Sequence, residues 1–338
     1  MSIEDWLRKA REAIEVTDDE LKEARRRREL IAEELRVEFP GARVYFNGSL
    51  AHGDALDPLS DFDLGVVIPD PAQQFGPGKA SADELKTRAS GAIRRALIAE
   101  YPKLRVEVEG RKRSLLVRFS HPVTPRATDF TGDVICAVDH PVRGLWIPKD
   151  STWDRSDPET HTRLVLEANK KTSAGFAKTV RLLKYWNGAH DGVFCSWHLK
   201  VLALPTVSSG PQIDSLRSFF AGAIRQVTAG PTPDPAFVGP SILPQVDAEE
   251  AVKRLREALD LVEAAIKAEA EGRPLGAQAE LSNLLPEIVP APDSSSLRDE
   301  ERDAAKARLA SRGSVSVGSG TEISLPRNRG WSDDPSPN

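Results

Sequence analysis

The spacing of apolar and polar residues predicts a strand-rich first part of the chain and a helical second part. Residues 2–36 and 82–100 repeat apolar side chains at helical spacing, and Thr17 with Glu20 has the capping-box arrangement of a helix start. Apolar runs predict strands at residues 44–46, 61–68, 104–109, 114–119 and 128–138. After Trp146 the strands largely stop, and helical spacing predicts helices at residues 160–187, 213–228, 248–271 and 297–311. We therefore expect a second, helical lobe.

Residues 44–68 place a Gly48-Ser49 turn before two carboxylates, Asp61 and Asp63. Because side chains two apart on a strand point to the same face, these carboxylates should lie side by side and repel each other unless a cation joins them. Mg²⁺ commonly takes one or two protein carboxylates together with water and substrate phosphates. The glycine lets the backbone approach a polyphosphate, and the Ser49 hydroxyl and the following amides can hold the anion. The pattern predicts a triphosphate-binding turn beside a metal-binding strand.

A third carboxylate, Asp133, lies inside the strand predicted at residues 128–138. A charge inside an apolar run needs a partner, and a metal at Asp61 and Asp63 would supply one. Asp129 and Asp139 are the alternatives, although both lie toward the ends of the strand, where acidic loop residues are ordinary. Asp133 is therefore the predicted third member of the site.

Composition and charge exclude several classes of protein. The 338 residues have a formal net charge of −5, which disfavours broad nucleic-acid binding and makes any basic patch local. No apolar run approaches the roughly 20 residues of a membrane span, and the N-terminus lacks a signal peptide's basic and apolar regions, so we expect a cytoplasmic protein without membrane contact. Two cysteines, Cys136 and Cys195, cannot form a zinc site by themselves, and the six histidines show no ligand spacing.

The helix predicted at residues 160–187 carries a basic face. At about 100° per residue, five cationic side chains fall within an arc of about 140°, namely Lys170, Lys171, Lys178, Arg181 and Lys184. Apolar side chains occupy the opposite side, at Phe176, Val180, Leu183 and Trp186. We expect the apolar side to pack. The basic side faces either solvent or an anionic ligand, and periodicity alone leaves both open.

The order of these features resembles the signature of the polymerase-beta-like nucleotidyltransferases. In that superfamily Gly-Ser is followed by Asp-x-Asp and, much later, by a third Asp on another strand, as Gly48-Ser49, Asp61, Asp63 and Asp133 are here. More narrowly, the chain resembles the bacterial CD-NTases, which are related to cyclic GMP-AMP synthase and oligoadenylate synthase. The resemblance covers residues 15–290 and implies an α+β fold, with a mixed-sheet nucleotidyltransferase lobe, a helical C-terminal lobe and an active site in the cleft between them.

The resemblance also divides the chain. Residues 1–150 are expected to form the N-terminal helices and the nucleotidyltransferase core, and residues 151–290 the helical nucleotide-binding lobe. Residues 291–338 are expected to form a helix and a disordered Gly/Ser/Pro-rich tail.

Three residues of the second lobe take their roles from the resemblance. Residues 180–187 resemble the Arg-Leu-x-Lys-x-Trp segment whose lysine reaches the triphosphate, which implies that role for Lys184. Ser196 and Trp197 occupy the place of the family's Ser-Tyr, in which the serine contacts phosphate and the aromatic ring stacks on the base. The family often has Gly-Thr where this chain has Gly53-Asp54, so any role of that threonine does not carry over.

The resemblance implies a metal-dependent enzyme that joins nucleoside triphosphates, ATP or GTP among them, and closes them into a cyclic di- or trinucleotide with release of pyrophosphate. Mg²⁺, or Mn²⁺ in its place, is the expected cofactor at Asp61, Asp63 and Asp133. The product is expected to signal in bacterial anti-phage defence (CBASS) through a separate effector, and a regulatory protein partner is allowed for. One alternative is a template-independent transferase acting on an RNA end, a small molecule or a protein. Another is a nucleotide-binding regulator with an inactive site.

Overall fold

The computed structural model describes residues 1–124, 129–150 and 152–313, so the predicted disordered tail beyond residue 313 lies outside the described residues. Seven strands lie in the described residues: β1 (Arg43–Asn47), β2 (Asp61–Val67), β3 (Arg105–Glu107), β4 (Leu115–Arg118), β5 (Thr131–Asp139), β6 (Leu145–Lys149) and β7 (Thr152–Ser156). The same residues contain eleven helices: α1 (Ile3–Ala13), α2 (Asp18–Glu38), α3 (Gly48–His52), α4 (Ala82–Leu97), α5 (Pro158–Lys171), α6 (Gly175–Ala189), α7 (Ser196–Ala203), α8 (Gln212–Ala229), α9 (Ala248–Ala270), α10 (Pro274–Leu284) and α11 (Ser294–Gly313). None of the described helices is long and apolar enough to cross a membrane.

The strands form one mixed sheet in the order β1-β2-β5-β4-β3. β1 runs antiparallel to β2, β2 runs parallel to β5, and β4 is antiparallel to both of its neighbours. In the parallel pair, Asp63 and Asp133 are direct register partners. The sheet therefore brings together two carboxylates that are far apart in the sequence, as the predicted fold requires.

The prediction that strands largely stop after Trp146 is wrong. Trp146 lies inside β6, and β6 pairs with the end of β5 and with β7. In β7 only Trp153 is buried, so this short strand shows little of the apolar alternation by which strands are recognised. The helical part begins only after β7, at Pro158.

Most of the buried apolar side chains among the described residues fall into two groups. The first lies between the sheet and helices α2 and α4 and includes Phe62, Leu64, Val66, Phe119 and Phe130. The second lies among the helices of the C-terminal part, and α1 also packs into it through Ile3, Leu7 and Ala10, as does Ile14 directly after the helix. The chain thus begins in the helical core and crosses to the sheet with α2.

The single helix predicted at residues 160–187 is two helices, α5 and α6. Between them Ser173 and Ala174 adopt positive φ angles of 51° and 66°, which end the first helix. Lys170 and Lys171 therefore lie on a different helix from Lys184, and the predicted basic arc of five side chains does not form. The predicted apolar side is buried, at Phe176, Val180, Leu183 and Trp186.

Candidate active site

A cleft of about 1060 Å³ is lined by residues of both the sheet and the helical part. Most of the residues predicted for the site line it, namely Gly48, Ser49, Asp61, Asp63, Lys184, Ser196 and Trp197. Asp133 is not among the lining residues, although it neighbours Asp63 in the sheet. The structure therefore brings the predicted site together from segments that lie more than a hundred residues apart in the sequence.

The turn after β1 requires a glycine at position 48. Gly48 has a φ angle of 73°, and a Cβ atom placed there would lie 1.6 Å from Oδ2 of Asp63. A side chain at this position would displace the carboxylate and strain the backbone. The half-buried Ser49 follows directly and lines the cleft. Gly48 thus allows the turn to lie against the Asp63 carboxylate.

Asp61 and Asp63 are neighbouring carboxylates on β2. Within the described residues neither side chain forms a hydrogen bond or an ion pair. Burial, together with the charges of Asp61 and Asp133, raises the pKa of Asp63 to about 6. Carboxylates that repel one another at the wall of an open cleft fit the oxygen donors of a hard divalent cation.

Asp133 has a partner of its own. Its Oδ1 accepts a hydrogen bond of 3.0 Å from Nη2 of Arg111, while burial raises its pKa and the Arg111 charge opposes that shift. In the part of the chain that the structure describes, no three acidic, imidazole or thiol groups converge closely enough to hold a metal ion. The three-carboxylate ligand set therefore stays a prediction, and the donors that fit a cation best are Asp61 and Asp63.

The alternatives to Asp133 are engaged in structural ion pairs. Asp129 lies 2.9 Å from the fully buried guanidinium of Arg27. Asp139 accepts hydrogen bonds of 2.8 and 2.6 Å from Arg43, which lower the pKa of its carboxyl group. Asp133, unlike these two, is the register partner of Asp63, so the sheet pairing favours Asp133 over both.

Two lysines of the cleft share one buried carboxylate. The ammonium group of Lys184 lies 2.9 Å from the backbone oxygen of Asp54 and 3.2 Å from its Oδ1. The ammonium group of Lys200 lies 2.9 Å from Oδ2 of the same carboxylate and 2.8 Å from Nδ1 of His52. The Asp54 side chain is 0% exposed, whereas both lysines line the cleft. We call Asp54, Lys184, Lys200 and His52 the Asp54 cluster.

The Asp54 cluster is connected to the turn at Gly48. Burial and the Lys200 charge lower the pKa of His52 to about 3, so its imidazole is neutral. Because Nδ1 accepts from Lys200, Nε2 carries the proton and donates to the Thr162 hydroxyl, 3.2 Å away. That hydroxyl donates in turn to Oδ1 of Asn47 at 3.1 Å. A chain of hydrogen bonds thus runs from Lys200 to the residue before Gly48.

The predicted stacking residue, Trp197, is half-buried at the cleft and contacts His161, with ring centroids 4.5 Å apart and a tilt of 36°. His161 is held by Asp234, whose Oδ1 lies 2.6 Å from Nε2. The other Asp234 oxygen accepts hydrogen bonds from the backbone amides of Val238 and Gly239. Trp197 therefore has a fixed neighbour on one side. His198 is fully buried and contacts Thr232, as expected for a structural histidine.

Sequence reasoning missed Lys200, His161, Asp234 and the role of Asp54. Lys200 follows Ser196 by four residues on α7, one helical turn, and this spacing places both on one face. That signal was available in the sequence. The contact of His161 with Asp234 joins residues that are 73 positions apart, so no local pattern predicts it.

Residues 28–127 match the family model of the nucleotidyltransferase domain. The matched segment includes Gly48, Ser49, Asp61 and Asp63 and ends before Asp133. No curated protein matches the sequence.

Solved structures match most of the chain at low sequence identity. CdnC of E. coli MS115-1 with ATP has a TM-score of 0.63 at 16% identity and covers 86% of this chain and 99% of its own. The complex of the same CdnC with HORMA-deltaN has a TM-score of 0.61 at 17% identity and covers 84% and 96%. The Vibrio cholerae DncV cyclic AMP-GMP synthase with the linear intermediate 5′ pppA(3′,5′)pG has a TM-score of 0.54 at 16% identity and covers 78% and 73%. These similarities confirm the predicted fold.

Proposed function

We propose that this chain, a nucleotidyltransferase with the fold of the bacterial CD-NTases, joins nucleoside triphosphates with release of pyrophosphate and closes the product into a cyclic di- or trinucleotide. The observation that carries the proposal is the composition of the cleft, where unpaired carboxylates of the sheet and lysines of the helical part line one space. Carboxylates alone repel a triphosphate, and lysines alone do not activate a hydroxyl. Both together are what transfer of a nucleotidyl group requires.

The residues of the cleft have separate roles in this proposal. Lys184 and Lys200 neutralise phosphate oxygens, Ser49 donates its hydroxyl to them, and Gly48 permits close approach of the backbone. The Ser196 hydroxyl, exposed at the start of α7, is a further phosphate donor.

Asp61 and Asp63 would hold Mg²⁺, or Mn²⁺ in its place, and Asp133 would join them by exchanging its contact with Arg111. When bound there, the cation would activate the attacking ribose hydroxyl and neutralise the charge that develops on the triphosphate. Because the Gly48 turn lies directly against the Asp63 carboxylate, a cation held by Asp61 and Asp63 would lie beside a triphosphate bound at that turn.

The structural neighbours support ATP and GTP as substrates. The E. coli CdnC structure contains ATP, and the V. cholerae DncV structure contains an intermediate with one adenine and one guanine base. The proposed product is a signal in bacterial anti-phage defence that acts on a separate effector. The complex of CdnC with HORMA-deltaN supports a regulatory protein as a further partner.

Incubation of the protein with the four nucleoside triphosphates and Mg²⁺ or Mn²⁺ tests this function. Phosphatase treatment followed by mass spectrometry should reveal a short phosphatase-resistant product. A ladder of linear oligonucleotides would reject cyclisation. Incorporation of label only into added RNA, or into the protein, would favour the alternative of a transferase that acts on another acceptor.

Trp197→Ala should slow synthesis without changing the choice of base. Stacking of a base on an aromatic ring contributes about 1–3 kcal/mol and tolerates every base, so a loss of roughly 5- to 150-fold is expected. The measurement is the rate of pyrophosphate release together with the base ratio of the product. Trp6→Ala is the control, because Trp6 is a half-buried tryptophan of α1 that does not line the cleft. A base ratio that changes sharply in Trp197→Ala would show that this residue reads the base.

A further inference from the structure

We propose that Asp54 is a positioning residue, whose carboxylate holds the ammonium groups of Lys184 and Lys200 side by side so that they receive the triphosphate as a preformed pair. The inference rests on the proposed function and deepens it, because it concerns how the same cleft binds its substrate. Asp54 itself does not line the cleft and is completely buried. It can therefore affect a nucleotide only through its neighbours.

Both oxygens of the Asp54 carboxylate contact a lysine of the cleft. Oδ1 lies 3.2 Å from the Lys184 ammonium group and Oδ2 lies 2.9 Å from that of Lys200. Lys184 comes from α6 and Lys200 from α7, so the carboxylate joins two helices as well as two charges. One carboxylate and two ammonium groups leave a net charge of +1 beside the cleft, at a fixed position.

Lys200 depends on this carboxylate more than Lys184 does. Its side chain is only 5% exposed, compared with 12% for Lys184. A buried ammonium group without a counter-charge is strongly disfavoured, and a long lysine side chain that must be ordered by the ligand loses conformational entropy on binding. Asp54 removes both costs before the nucleotide arrives.

A carboxylate suits position 54 better than an uncharged side chain would. A threonine after Gly53 could accept a hydrogen bond from one lysine, but it carries no charge and has no second oxygen for the other. The fully buried aspartate suits two lysines. An aspartate at this position therefore matches the two lysines that contact it in this chain.

Asp54→Asn tests the inference, because it keeps the shape of the side chain and removes its charge. Equilibrium binding of ATP in EDTA measures the effect without turnover, so the result is independent of whether a cyclic product forms. The dissociation constant should rise about tenfold, as for loss of one charge-assisted contact. In assays with metal, KM for the nucleotide should rise by a similar factor, while kcat changes by less than about twofold because the lost interaction is not specific to the transition state.

A double-mutant cycle separates positioning from stability. If Asp54 acts through the lysines, Asp54→Asn will not weaken ATP binding further in a Lys184→Met/Lys200→Met background. Asp129→Asn is the matched control: it breaks another ion pair with a buried cation, Arg27, that lies outside the cleft, and should lower Tm without changing ATP affinity.

Asp54→Thr repeats the test with an uncharged hydroxyl in place of the carboxylate, in case Asp54→Asn does not fold. The same loss of ATP affinity is expected. A fall in Tm with unchanged ATP affinity in the folded variant would overturn the inference, because it would show a structural role alone. Tighter ATP binding would also overturn it, because it would show that the carboxylate competes with phosphate for the lysines.

Discussion

Replacing Asp61 and Asp63 together by Asn will reduce pyrophosphate release to less than about a thousandth of the wild-type rate, because the cleft then loses the two carboxylates that β2 places beside the Gly48 turn. Both side chains line the cleft, and neither has another partner among the described residues. An amide has one neutral oxygen in place of a carboxylate and binds a divalent cation far more weakly. The measurement is a coupled pyrophosphate assay at saturating nucleotide, in the presence of Mg²⁺ and, separately, of Mn²⁺.

The same variant should fold at least as well as the wild type in metal-free buffer. The pKa of Asp63 is raised from 3.8 to about 6 in the folded protein, so this group's contribution to stability is present below about pH 4 and is lost as the pH rises through 6. At pH 7.5 the charged carboxylate destabilises the metal-free protein, and Asn removes that charge. Tm should therefore be equal or higher at pH 7.5, with the advantage disappearing near pH 4.

Asp57→Asn is the matched control for the carboxylate pair. Asp57 is an exposed acidic residue that lines the same cleft, but it precedes β2 and does not share the strand face of Asp61 and Asp63. Its replacement should leave the rate within about threefold of the wild type, as is usual for exposed groups outside the reacting centre. Undiminished turnover in Asp61→Asn/Asp63→Asn would reject the proposed role of the pair, whatever the control shows.

Local patterns were sufficient to predict the carboxylate side of the site. The period of two along β2 places Asp61 and Asp63 on one face, and the Gly48-Ser49 turn comes about a dozen residues earlier, so one segment of the sequence holds these groups. The parallel register that sets Asp133 beside Asp63 depends on which strands pair. The sequence pattern does not fix that pairing, and the resemblance supplied it.

The lysine side of the site depends on contacts that no local pattern contains. The Asp54 cluster joins α3, α6 and α7, and the sequence shows only a lysine on each of two helices and an acid after a glycine. The break between α5 and α6 lacks a proline, so continuous helical spacing predicted one helix there. Tertiary packing decides both features, because buried charges take partners from whichever element is adjacent.

Lys184→Met will raise KM for the nucleotide by about 10- to 150-fold, the range expected for a hydrogen bond to a charged group of about 1.5–3 kcal/mol. Lys184 is the one member of the predicted basic arc that lines the cleft. Its ammonium group is already fixed by the backbone and side-chain oxygens of Asp54, so little entropy is lost when it contacts a phosphate. Methionine keeps the length and apolar stem of the side chain and removes only the charge, so kcat should change less than KM.

Lys171→Met is the control that distinguishes a binding site from general attraction of an anion. Lys171 belonged to the same predicted arc, but it lies exposed at the end of α5 and does not line the cleft. Its removal changes the net charge of the protein by the same amount as Lys184→Met. KM should stay within about twofold of the wild type, since exposed charges act weakly across a screening solvent. Equal and small effects of the two substitutions would show that Lys184 serves only as a partner of Asp54, whereas a large effect confined to Lys184→Met would place the triphosphate at the Asp54 cluster.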